Sequence, residues 1–80
     1  MSYDQAKIDD AVLALLAVFS FDGARAWKGF DFGVMDRLHE QRFIDVPKGR
    51  AKSVWLTPEG LEHGRAVARE LFGDSPTHTD

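Results

Sequence analysis

Cysteine is absent from the chain, which removes disulfide frameworks, thiolate metal centres and thiol nucleophiles together. Long apolar runs are missing too. The longest, Ala11 to Phe19, is about half of what a membrane-spanning helix needs, so no membrane association is expected. The opening Met1-Ser2-Tyr3-Asp4 is acidic where a secretory signal would be basic, and a cytoplasmic location is the expectation. No glycine-rich phosphate loop occurs, and none of Ser2, Ser20, Ser53 and Ser75 sits in a Gly-x-Ser-x-Gly elbow. Glu59 and His63 are four apart and would share a helix face, but two ligands fall short of the three or four that zinc requires. Asp9 and Asp10 are adjacent, so on a helix they diverge by about 100° and make a poor acid/base pair. They favour a helix N-terminus instead. His39 reads as a surface residue. No catalytic residue, metal site or cofactor is assigned, and a non-enzymatic protein is expected.

What the chain does have is apolar material. Of its 80 residues 44% are hydrophobic, among them six Phe, two Trp and one Tyr, which is ample for a packed core. A single domain over residues 1–73 is expected, followed by a flexible tail at 74–80. So small a domain is marginally stable alone, and a homodimer would help it. The net charge of −3 is unevenly spread: residues 24–52 carry +3, while residues 1–23 and 53–80 carry −3 each. Any nucleic-acid contact would have to use the middle.

The first helix is predicted to start near Asp4, capped by Ser2 or Asp4, with Ile8, Val12, Leu15, Leu16 and Phe19 on one stripe. Leu13, Ala14, Ala17, Val18 and Phe21 extend the apolar surface round most of the cylinder, so cover is needed on more than one side. Asp22-Gly23 is expected to end this helix. A short strand near 24–29 follows, and Asp31 should cap a second helix at 32–41 with Val34, Met35 and Leu38 inward. Next comes a predicted hairpin of 43–46 with 52–56, turning at Pro47-Lys48-Gly49-Arg50. If Val54 and Leu56 point inward, Trp55 points out. Thr57 and Pro58 should open a last helix over 58–72 with Leu61, Ala68, Leu71 and Phe72 as its seam, stopped by Gly73.

Helix, strand, helix, basic wing, helix is a winged-helix-like layout of α+β, mainly α, class. The run Leu38-x-x-x-Arg42-Phe43-Ile44 with Val54-x-Leu56-Thr57-x-x-Gly60 resembles the second half of MarR-like winged-helix regulators. That resemblance implies a recognition helix before the wing and contact with DNA. The stretch from Asp22 to Asp31 is too short for both a strand and a separate preceding helix, so the helix-turn-helix lacks its first member. Over its whole length the chain resembles a bacterial family of small proteins forming a domain of unknown function. Lys7-Ile8-Asp9-Asp10-Ala11-Val12-Leu13-Ala14-Leu15-Leu16, Ala26-Trp27-Lys28-Gly29-Phe30, Met35-Asp36-Arg37-Leu38-His39-Glu40 and Leu56-Thr57-x-Glu59-Gly60-Leu61 carry that likeness. It implies a fold and no activity.

Two binding expectations follow. The first is a DNA-binding transcriptional regulator whose phosphate contacts come from Arg37, Arg42, Lys48, Arg50 and Lys52. The alternative is a protein-interaction or assembly module that leaves nucleic acid alone. A dimer contact is expected at Leu13, Val18, Phe21 and Trp55, with the first and last helices buried against a second copy. Trp27, between Arg25 and Lys28, could stack on a base or anchor a partner, but with Phe30 and Phe32 nearby it is expected to cap the core. Trp55 is expected either to pack under the Trp27 segment or to form an interface.

Overall fold

The computed structural model describes residues 2–27, 29–46 and 52–73. The elements run α1 (Gln5–Val18), β1 (Arg25–Trp27), α2 (Phe32–Glu40), β2 (Ser53–Trp55) and α3 (Pro58–Phe72). This is an α+β arrangement, mainly α, as the periodicities predict. No helix among the described residues is long and apolar enough to cross a membrane.

Local chemistry explains each boundary. Asp4 caps α1 by accepting the Lys7 N–H at 3.3 Å. The helix ends at Val18, earlier than expected, and the Ser20 hydroxyl donates to the freed Ala17 carbonyl at 2.8 Å. Asp22 and Gly23 do not cap it. With φ of 51° and 92°, they form a tight reversal across which Phe21 and Arg25 exchange backbone bonds of 2.7 and 2.8 Å. Two successive positive φ values suit Asp-Gly, because glycine has no Cβ and Asp tolerates the left-handed region.

Asp31 caps α2 through the Val34 N–H at 3.2 Å. At its far end Phe43 N–H donates to Leu38 O and Arg42 N–H to His39 O, both at 2.9 Å, which is a Schellman closure. Arg42 occupies the left-handed position at φ 66°, where glycine is the usual residue. Thr57 caps α3 by accepting the Gly60 N–H at 2.9 Å, and its hydroxyl donates to the Arg42 carbonyl at 2.7 Å. The end of α2 is thereby tied to the start of α3. Gly73 follows α3 in extended conformation, φ −69°, rather than as a left-handed stop.

The sheet differs from the predicted hairpin. β2 pairs with β1, antiparallel, with Arg25 opposite Trp55, Ala26 opposite Val54 and Trp27 opposite Ser53. The 43–46 segment contributes one bridge, Ile44 to Leu56, flanked by Asp45 N–H to Trp55 O and Thr57 N–H to Phe43 O, both 2.9 Å. The Asp45 side chain also accepts the Trp55 N–H at 3.1 Å. β2 is therefore bonded on both edges. Alternation holds as predicted: Val54 and Leu56 face the core and Trp55 faces out. The turn Pro47 to Arg50 and the tail 74–80 lie outside the described residues.

Leu13, Leu16, Met35, Leu38 and Ile44 form the fully buried centre. α1 packs chiefly on α3, and of the predicted seam Leu61 packs on the core and Ala68 is half-buried. Leu71 and Phe72 are half exposed, and the buried residues of α3 are Gly60 and Gly64. A Cβ on Gly60 would stand 1.9 Å from the Phe43 carbonyl oxygen, and one on Gly64 2.8 Å from that of Leu13. Backbone-to-backbone approach on this side leaves no room for a side chain. Leu13, expected at a contact with a second copy, lies against α3 within the chain.

Candidate interaction surface

The basic candidates separate on inspection of their partners. Arg37 is committed to the fold: its Nε donates to Asp9 Oδ2 at 2.7 Å and its Nη2 to Asp9 Oδ1 at 3.1 Å. Asp9 is buried at 2% exposure on α1, and Gln5 Nε2 donates to it at 3.0 Å. The Arg37 hydrogen bond, outweighing burial, holds the Asp9 carboxyl below its ordinary value, and Asp9 in turn raises the Arg37 guanidinium. A fork that grips a carboxylate on both oxygens is not free to grip a phosphate. Arg37 is thus withdrawn from the expected phosphate contacts. Arg42 and Lys52 are exposed, whereas Lys48 and Arg50 lie outside the described residues. The outward positions of α2 are Phe32, Asp36 and Glu40.

His39 and His63 serve the scaffold. His39 Nδ1–H donates to the Ile44 carbonyl at 3.2 Å. His63 turns to α1, not to Glu59: its Nε2–H donates to Asp10 Oδ1 at 3.2 Å, and its ring stacks on Phe43 with centroids 4.9 Å apart. Among the described residues no three His, Asp or Glu side chains gather as metal ligands.

The side of the molecule away from α3 is built differently. β1 sends Ala26 inward, so Arg25 and Trp27 face out, and Trp27 remains 62% exposed instead of capping the core. Trp55 joins them from β2 at 48% exposure. Phe21 packs on Trp27 with centroids 5.0 Å apart. The Arg25 guanidinium lies 5.8 Å from the Phe21 ring centre and 5.5 Å from that of Trp55, within cation–π range of both. Its Nε donates to Ser53 Oγ at 3.2 Å, and its Nη1 is 3.6 Å from Asp22. Arg25 therefore orders this aromatic face.

Beside the face, the end of α1 and the chain around Phe30 enclose an apolar groove of about 260 Å³. Leu15, Leu16 and Ala26 form its floor, and Phe19, Trp27, Gly29 and Phe30 complete its lining. Phe19 stands 70% exposed at the end of α1. Of the residues expected at a dimer contact, Trp55 and the half-buried Phe21 belong to this surface. Val18 is exposed, and Leu13 is wholly buried beneath α3, which removes it from any partner's reach. Trp27 takes the surface position that was its lesser expectation, and Phe19 and Phe30 join it beyond the expected residues. The period of two through Arg25-Ala26-Trp27 was the available signal, because a small residue turned inward puts its large neighbours outside.

The profile of a family described as a domain of unknown function (DUF6429) matches residues 4–74. The chain is 49% identical over 72 residues to the uncharacterized protein y4hR of Sinorhizobium fredii, an alignment covering 90% of this chain and 97% of that protein. No solved structure matches it.

Proposed function

The chain belongs to the DUF6429 family, and from that premise we propose that it is a non-enzymatic, winged-helix-like binding domain of the cytoplasm that works by contact with protein. Two features support the winged-helix reading: the element order, and a β2 strand bonded to β1 on one edge and to residues 43–45 on the other. A regulator with this layout would insert α2 into the major groove. The observation that carries the proposal is the chemistry of that helix. It offers Phe32, Asp36 and Glu40 outward, and its arginine is locked to Asp9. Two carboxylates facing a phosphate-lined groove repel it, whereas exposed aromatics of the sheet face suit a protein surface.

A titration of the full chain with a mixed-sequence duplex at low salt tests this directly. We expect no binding up to about 100 μM, the weak end of non-specific association. Binding with a log–log salt slope of about −2.7, the value for three phosphate contacts, would overturn the proposal if substituting Lys48, Arg50 and Lys52 with Ala flattened it.

A further inference from the structure

We propose that the groove between the end of α1 and β1, with the aromatic sheet face beside it, is the seat of a second copy of this chain in a two-fold dimer. The inference rests on the protein-contact reading above and names the partner. A two-fold contact uses one patch twice, so that patch must offer both what protrudes and what receives. This one does. Phe19 and Trp27 stand out at 70% and 62% exposure, directly beside a floor of Leu15, Leu16 and Ala26.

The area fits as well. At about 150–250 Å² per residue, the exposed parts of Phe19, Trp27, Phe30 and Trp55 come to roughly 330–540 Å² of mostly apolar surface. A standard interface removes about 800 Å² per partner, of which about 65% is apolar in homodimers, or roughly 520 Å². At the rim, Arg25 and Asp22 lie 3.6 Å apart, so among the described residues the patch edge carries both charge signs. The two tryptophans of the chain both lie in this patch, which gives an internal reporter.

Analytical ultracentrifugation of the full chain from micromolar to millimolar concentration reads the association, with tryptophan emission followed over the same range. We expect a dimer whose formation moves the emission to the blue. Phe19→Glu and Trp27→Glu should each weaken association at least 30-fold while leaving the helical circular dichroism intact, because both side chains are exposed in the monomer. Phe32→Glu, on an exposed aromatic of α2 outside the patch, should leave the dimer unchanged. A chain monomeric at millimolar concentration overturns the proposal, as does a dimer indifferent to both patch substitutions. Either result leaves the protein-contact reading to the duplex titration, whose outcome is independent.

Discussion

The two sides of α1 answer to different constraints. Toward α3 the contact is closed by backbone at Gly64, where a Cβ would stand 2.8 Å from the Leu13 carbonyl, while Gly60 seats the start of α3 on the Phe43 backbone. Toward α2 the buried carboxylate of Asp9 is matched bidentately by Arg37 and by a glutamine. Toward the groove the same helix presents Leu15 and Phe19 with no element of the described residues laid over them, and the adjoining sheet turns two tryptophans outward. The first side is finished within one chain. The second carries large apolar residues that a monomer gains little from exposing, which is the pattern of a surface kept for contact.

The largest expected effect is at Gly60, where α3 starts against the Phe43 backbone before it reaches α1 at Gly64. A Cβ there would meet the Phe43 backbone carbonyl at 1.9 Å, and backbone cannot swing aside as a side chain does. Gly60→Ala should therefore destabilise by more than about 3 kcal/mol, beyond the ordinary range for overpacking. Gly64→Ala meets the Leu13 carbonyl at 2.8 Å and should cost less, about 1–3 kcal/mol. Urea unfolding followed by far-ultraviolet circular dichroism separates the two. Equal midpoints for both variants and the parent would mean that α3 does not need this close seat.

Asp9 comes next in size. Its pair with Arg37 is buried on the aspartate side and 39% exposed on the arginine side, so it lies between the full penalty for breaking a buried pair and the small value of a surface one. Asp9→Asn should cost about 2 kcal/mol. The pH dependence has a definite sign. The Asp9 carboxyl is held below its ordinary value of 3.8, so its stabilisation is complete above that value and is lost as pH falls through the lower folded-state value. Acid unfolding of the parent below pH 3.8 should lose this contribution, and Asp9→Asn should lack it. A variant whose acid limb matches that of the parent would show that the pair contributes nothing.

How much of this was legible depended on whether a feature is written in neighbouring residues. Asp31 and Thr57 as caps, Pro58 at the first turn, and the inward Val54 and Leu56 with Trp55 outward are local chemistry, and the structure has them as predicted. So is the lack of room for a further helix between β1 and α2. Pairing across long separations was not legible. Residues 43–46 and 52–56 look like a hairpin because they are near in sequence, yet Ser53–Trp55 takes the distant Arg25–Trp27 as its ladder partner. The ion pair between Asp9 and Arg37 is of the same kind: two unremarkable surface-type residues, made structural by the packing of α2 on α1. Leu61 of the α3 seam packs on the core as predicted, whereas its glycine part is not legible, because glycines carry no hydropathy signal, although Gly60-x-x-x-Gly64 places two small residues on one helical face.

Arg42 offers a smaller effect of opposite sign. It holds the left-handed closing position of α2 at φ 66°, a conformation costing a non-glycine residue about 1–2 kcal/mol. Arg42→Gly relieves that strain and should stabilise by about 0.5–1 kcal/mol once the extra freedom of the unfolded chain is subtracted. Urea unfolding followed by far-ultraviolet circular dichroism checks the sign, and a midpoint below that of the parent would mean that Arg42 is not strained at this position.

The smallest expected effect bears most on the comparison. Trp27→Ser removes a large apolar side chain, a change that in the α1–α3 seam would cost several kcal/mol. On the groove side, with 62% of the residue already in water, the monomer should lose about 0.5 kcal/mol or less, a shift of roughly 2–4 °C in Tm at low micromolar concentration. Concentration then supplies the contrast. Self-association binds the folded chain and not the unfolded one, so the Tm of the parent should climb with protein concentration. That of Trp27→Ser should stay flat, and the gap between the two curves should widen from micromolar to millimolar. Differential scanning calorimetry across that range is sufficient. A gap constant with concentration would mean that Trp27 acts within one chain alone, and the two sides of α1 would then differ only in how well they are packed.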